Sequence, residues 1–136
     1  MRSVWDTATA DNDSFEKFTP LIDGLHGWLI VKDNDKMVGI VYIEKQSTVS
    51  VMFHPYLTGK KGTGRELIKA VLAWFLTTKF KKVNVSIPVK YKRTYNTAKK
   101  LGFIDEGLNR SSFLKDGVLY DQYLLGLTSS EIEGLL

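Results

Sequence analysis

Between Gln46 and Pro88 a strand, a glycine-rich turn, a long amphipathic helix and a second strand follow one another, and that succession admits few folds. Gln46–Phe53 reads as a strand with Val49, Val51 and Phe53 on one face. From Gly64 to Lys79 apolar residues recur at helical spacing: Leu67, Ala70, Val71, Trp74 and Phe75, broadened by Ile68 and Leu72. Lys81–Pro88 alternates through Val83, Val85 and Ile87, and Pro88 ends its donation to a ladder. Two strands joined through a helix lie parallel in one sheet, because the crossover returns the chain to the end from which it started.

The flanks extend this sheet with antiparallel strands. His26–Lys32 and Lys36–Glu44 bracket Asp33-Asn34-Asp35, a good turn sequence, and read as a hairpin. Before them a brief strand at Arg2–Trp5 and a helix at Ser14–Leu21 are expected, with Pro20 blurring the helix end. A helix over Lys92–Leu101 should turn Thr94, Ala98 and Leu101 inward and stop at Gly102. Strands at Gly107–Leu114 and Val118–Leu125 flank Lys115-Asp116-Gly117, and Thr128-Ser-Ser-Glu131 reads as a capping box opening a short last helix. Trp28, Trp74 and Phe75 read as core. The expected fold class is α/β (α+β), a single domain over residues 1–136 with a mixed, mostly antiparallel sheet, a parallel pair at its centre and helices on both faces.

A chain of 136 residues buries about two-thirds of the surface its unfolded form exposes, so it needs no covalent staples. It has no cysteine, which excludes disulfides, cysteine-based zinc sites and cysteine nucleophiles; no metal is expected. There is no long apolar run, so neither a signal peptide nor a membrane span is read, and a cytoplasmic home follows by default. The formal net charge of +4 gathers in clumps: Lys60-Lys61, Lys79 to Lys82, Lys90 to Arg93, and Lys99-Lys100. Such clumps are either solvated surface lysines or the mark of an anionic ligand, a phosphorylated cofactor or nucleic acid.

The glycine turn Thr58–Gly64 bears on that choice. The first N–H groups of a helix have no internal partner and sit at its positive end. Glycines let several of them converge with no side chain in the way, which suits a diphosphate. Two better-known phosphate loops fail here. Gly59 and Gly64 have the P-loop spacing, but Arg65-Glu66 follows where Lys-Ser/Thr is needed, and Leu67 stands where the dinucleotide fingerprint wants a third glycine.

The stretch HPYLTGKKGTGREL, His54 to Leu67, resembles the cofactor-binding motif of the GNAT superfamily of N-acetyltransferases, Gln/Arg-x-x-Gly-x-Gly/Ala. Its Gly-x-Gly falls on Gly62 and Gly64, and His54-Pro55-Tyr56 resembles the residues that often precede it. Asn96 to Gly107, through Leu101-Gly102-Phe103, is similar to the family's later signature, and the likeness covers about residues 25 to 126. The resemblance implies acetyl-CoA, or another acyl-CoA, as co-substrate in a cleft where the two parallel strands splay. Pantetheine would bond to backbone near Met52, Phe53 and His54. The diphosphate would sit on amides from Lys60 through Lys61, Gly62, Thr63 and Gly64 to Arg65, and Lys90–Arg93 would meet the 3′-phosphate or an acidic acceptor.

The sequence departs from the family in places. Gly59 stands at the Gln/Arg position. Direct acyl transfer needs a base for the amine and an acid for the thiolate, and the family's base is often a carboxylate on one of these strands or a water chain; neither parallel strand carries Asp or Glu here, and His54 is the candidate base, a structural cap before Pro55 being its other reading. The family's acid tyrosine falls on Ala98, so Tyr95 one turn earlier and Tyr91, at the usual asparagine position, are the candidate acids. Three functions follow. The first is an acyl-CoA-dependent N-acyltransferase acting on a small-molecule or protein amine, a homodimer being one admissible assembly. The second is a GNAT-fold protein without catalysis, such as a phage virion or head-assembly module. The third is nucleic-acid binding through the basic clumps with Tyr91, Tyr95 and Phe80 interleaved, disfavoured because no nucleic-acid motif is present.

Overall fold

The computed structural model of the chain describes residues 26–33, 36–57 and 64–136. The strand expected at Arg2–Trp5, the helix expected at Ser14–Leu21, Asn34 and Asp35, and the turn from Thr58 to Thr63 lie outside the described residues. Six strands, β1 (His26–Asp33), β2 (Lys36–Lys45), β3 (Ser50–Leu57), β4 (Lys82–Pro88), β5 (Ile104–Lys115) and β6 (Val118–Thr128), lie in one sheet in the order β1-β2-β3-β4-β6-β5. The described residues also form three helices: α1 (Gly64–Phe75), α2 (Lys92–Leu101) and α3 (Ser129–Leu135). Among the described strands only β3 and β4 run parallel, as the crossover through α1 requires. No helix among the described residues is long and apolar enough to cross a membrane.

One side of the sheet carries the core. Val51 and Phe53 of β3, Val83, Val85 and Ile87 of β4, and Leu125 and Leu127 of β6 alternate onto it and are buried. Phe53 meets Phe75 of α1 edge to face, centroids 6.0 Å apart, and Tyr123 of β6 stacks on Tyr95 of α2, so both helices cover this same face. We call it the helix face.

Several expected boundaries shift, each for a local reason. β3 begins at Ser50, not Gln46, because Ser47 folds the chain into a turn: its Oγ accepts the N–H groups of Val49 and Ser50, and the Ser50 carbonyl accepts those of Gln46 and Ser47. Val49 therefore precedes the strand and is 53% exposed instead of facing inward, while its carbonyl accepts from Lys81 and Lys82 at the start of β4. α1 ends at Phe75, not Lys79, because the N–H and Oγ of Thr77 close on the Trp74 carbonyl and those of Thr78 on the Phe75 carbonyl. The buried stripe of α1 is Val71, Leu72 and Phe75 with Ile68 half-buried; Ala70 is exposed. Trp74, read as core, is 38% exposed, since each residue turns the helix by about 100° and Phe75 takes the inward place against Phe53. The side chains of Trp28 and Leu67 lie outside what the structure describes.

In α2, Ala98 and Leu101 are buried as expected, but Thr94 is exposed and Tyr95 takes its place at the three-residue spacing from Ala98. Gly102 closes the helix with φ 109°, its N–H on the Lys99 carbonyl and that of Phe103 on the Ala98 carbonyl. A Cβ there would also lie 2.8 Å from both methyls of Leu135, so α3 packs against a site only glycine can supply. β5 and β6 reach further than expected, to Ile104 and Thr128. Their turn is the Asp-Gly hairpin, with Asp116 at φ 51° and Gly117 at φ 75°. The capping box is complete: Glu131 N–H donates to Thr128 Oγ1, and Thr128 N–H to Glu131 Oε1.

Phe75→Ala should destabilise the protein by about 3–5 kcal/mol in urea unfolding, through lost burial and the cavity left beside Phe53. Thr128→Ala should cost about 1 kcal/mol. The bonds to Thr128 hold the Glu131 carboxyl below its usual value. That contribution is present above the ordinary glutamate pKa and is lost as pH falls through the folded one, so wild type and Thr128→Ala should converge in acid.

Candidate active site

β3 and β4 are joined by three residue pairs, Ser50–Lys82, Val51–Val83 and Met52–Asn84. Beyond them β3 continues to Leu57 along β2, and β4 continues to Pro88 along β6, but they no longer pair with each other. The sheet is thus two three-stranded halves that part at Met52 and Asn84. Pro55 lies past that point, where β3 has the character of an edge strand and tolerates a residue with no donor. The splay expected between the parallel strands is present.

On the face opposite the helices, side chains gather around the fork. Tyr42 stands across from His54 and Glu44 across from Met52 in the β2–β3 register. His54 Nε2 lies 3.3 Å from Glu44 Oε1, and the Tyr42 ring is 5.7 Å from the imidazole. The His54 side chain is 36% exposed, open to a reactant while held by its carboxylate. A search of β3 and β4 alone misses this carboxylate, because it comes from β2. The hairpin register carries the signal, and it is obscured while β3 is taken to start at Gln46.

Beside the fork is a pocket of about 280 Å³. Its apolar lining is Met52, Val85, Leu124 and Leu125; its polar lining is Gln46, Asn84 and Glu106. Asn84 Nδ2 donates to Gln46 Oε1 at 2.7 Å, and Lys82 Nζ donates to Glu106 Oε2 at 2.7 Å. These groups meet over Gly126, which pairs with Asn84. A Cβ on Gly126 would collide with Glu106 Oε1 and Lys82 Cε and come 3.0 Å from Asn84 Oδ1.

Tyr91 and Tyr95 lie one turn apart on the helix face, away from His54. Tyr95 donates its hydroxyl proton to both oxygens of Asp105, at 2.8 and 2.9 Å, and Lys99 Nζ reaches the same carboxylate at 2.7 Å. Lys99 first, and Tyr95 after it, hold Asp105 below the usual carboxylate range; the same hydrogen bond holds the Tyr95 phenol above its ordinary value. Burial pushes the Tyr91 phenol up, with its ring edge on Phe113 at 6.1 Å. Met52 lines the pocket, Phe53 is buried so that only its backbone reaches the fork, and Arg65 is exposed beside Gly64 at the start of α1. Gly59, Lys60, Lys61, Gly62 and Thr63 lie outside the described residues.

No protein-family model matches the chain. Among solved structures it is similar to spermidine N-acetyltransferase SpeG from Vibrio cholerae in complex with CoA and spermine, with a TM-score of 0.82 and 19% identity over 97% of this chain and 86% of that one. It is likewise similar to spermidine/spermine N-acetyltransferase SpeG from Vibrio cholerae in complex with manganese ions, with a TM-score of 0.76 and 21% identity over 82% of this chain and 70% of that one. The chain has the GNAT fold. In sequence it is 29% identical over 114 residues to an uncharacterized N-acetyltransferase, YokL, derived from the SPbeta prophage of Bacillus subtilis strain 168, over 78% of this chain. It spans 63% of the length of that relative. None of these likenesses lends support to a purely structural module.

Lys99→Met should move the Asp105 carboxyl up toward its ordinary pKa further than Tyr95→Phe does, as read by carbon-detected NMR titration. The stabilisation from this trio is present above the ordinary aspartate pKa and is lost as pH falls through the lowered one, so both variants should lose less stability in acid than wild type does.

Proposed function

We propose that the chain is an acyl-CoA-dependent N-acyltransferase that passes an acetyl group directly from acetyl-CoA to an amine. The parting of β3 from β4 after three residue pairs is the observation that carries it. An extended ligand with amide groups can take the ladder positions a strand would otherwise fill, and pantetheine is such a ligand. The β3 backbone at Met52, Phe53 and His54 would bond to it. The amides from Lys60 to Arg65 would hold the diphosphate at the positive end of α1, with Lys60 and Lys61 adding charge and Gly59, Gly62 and Gly64 keeping the approach clear.

Acetyl-CoA supplies an activated thioester, and the chain supplies position and proton transfer. His54, oriented by Glu44, takes the proton from the attacking amine as the C–N bond forms and the C–S bond breaks. Acid help is less pressing. A thiol ionises near 8.5, so its thiolate leaves readily at neutral pH, and Ala98 in place of an acid tyrosine is tolerable. Tyr91 and Tyr95 stand on the helix face, away from His54, with their phenols held above the ordinary value, so neither is given a proton-transfer step. The acceptor is a small-molecule amine. Two features support this: the small pocket beside the fork and the spermidine named for the solved neighbours.

Calorimetry should give micromolar-order acetyl-CoA binding, and a thiol-release assay should show turnover on an amine panel. His54→Gln should lower kcat roughly 10²- to 10⁴-fold while binding of acetyl-CoA, which uses backbone there, changes only a few-fold. Gly64→Val should weaken acetyl-CoA binding at least tenfold, on the order expected when a side chain blocks converging amides. Absence of acetyl-CoA binding would overturn the proposal.

A further inference from the structure

We propose that Glu106 is a specificity-determining residue that receives a second ammonium group of the acceptor, far from the amine that reacts. This rests on the acyltransferase reading and extends the same site. Glu106 lines the pocket on the His54 side of the sheet, where Met52 and Leu124 offer an apolar path between them. Its two oxygens are engaged differently. Oε2 accepts from Lys82 Nζ, while Oε1 is turned over the bare Cα of Gly126. Asn84 Oδ1 faces the same point, because Asn84 Nδ2 is spent on Gln46 and the amide is thereby oriented. Two acceptor oxygens therefore converge above a residue with no side chain, at the wall of a cavity, and the end of the Lys82 side chain occupies the space between them. That arrangement suits a primary ammonium, with its several donors and no acceptor.

Lys82 already holds Glu106, so a ligand ammonium must share or replace it. The Glu106 and Lys82 side chains are 41% and 27% exposed, and a partly hydrated pair of this kind exchanges partners at small cost. The pocket thus carries its own stand-in cation when empty. The spacing defines the acceptor. At the join, β3 and β6 are separated by β4, two strand spacings or roughly 10 Å, and His54 lies two residues further along β3, past the fork, so the reach from His54 to Gly126 is longer than that. An amine with a second ammonium at that reach, joined by methylenes lying on Met52 and Leu124, matches both ends.

The test compares linear α,ω-diamines of increasing length with monoamines of equal length, by thiol release from acetyl-CoA and by calorimetry. Wild type should prefer a long diamine by roughly tenfold or more, the scale of one charge-assisted hydrogen bond, and the preference should appear in KM and not in kcat. Glu106→Gln should erase that ratio. Lys82→Met, which removes the competing cation, should tighten diamine binding several-fold, opposite in sign to what loss of a merely structural ion pair would do. Equal diamine-to-monoamine ratios in wild type and Glu106→Gln, or weaker diamine binding in Lys82→Met, would overturn the assignment. If acetyl-CoA fails to bind and no amine is turned over, the acyltransferase reading falls instead. Diamine calorimetry on wild type and Lys82→Met then still decides whether Glu106 holds a cation.

Discussion

Three residue pairs between two parallel strands hold the sheet together. Ser50, Val51 and Met52 meet Lys82, Val83 and Asn84, and everything beyond them diverges. Backbone hydrogen bonds over so short a join cannot set the angle between two half-sheets by themselves. The core beneath does so: Val51 and Val83 are almost wholly buried at the join, and Phe53 wedges against Phe75 just above it. A fork in a sheet is normally a liability, since it leaves backbone groups without ladder partners. Here it lies beside a pocket and a histidine–carboxylate pair, the surroundings in which such groups find a ligand.

The two faces of the sheet divide the chemistry. The helix face is dry around α1 and tied by Tyr95, Asp105 and Lys99 where α2 meets β5. The opposite face holds His54 with Glu44, Asn84 with Gln46, and Lys82 with Glu106, each a partly exposed polar pair reaching from one strand to another. Alternation along β3 separates them. Phe53 points into the core while Met52, which lines the pocket, and His54 point the other way, so a ligand following this strand would touch both environments within three residues.

The order of elements was legible because period-two and helical patterns are long and local: Val83, Val85 and Ile87, or Ala98 and Leu101, identify their own faces. What was not legible was set by single side chains acting on the backbone. Ser47 delays β3, and Thr77 and Thr78 stop α1 before its apolar pattern runs out. Both corrections come from hydroxyls closing turns, which periodicity does not weigh. At the site, His54 was within reach of sequence reasoning, whereas Glu44, Glu106 and Gly126 were not. Their positions around the fork arise from register between strands distant in sequence, including Lys82 reaching across β6 to Glu106. Thr94 and Trp74 were misplaced by one helical step each, a small error in sequence and a quarter-turn or more in space.

β5 forms one border of the sheet and is exposed over most of its length. It is not a straight ribbon. Its register breaks between Asp105 and Gly107 and again between Asn109 and Phe113, and Ser111 takes φ 51° with its N–H turned back onto Asp121. A foreign strand laid along this border would meet kinks and an occupied donor instead of an even row of amides and carbonyls. The irregular border thus guards the molecule against fibrous stacking along this edge.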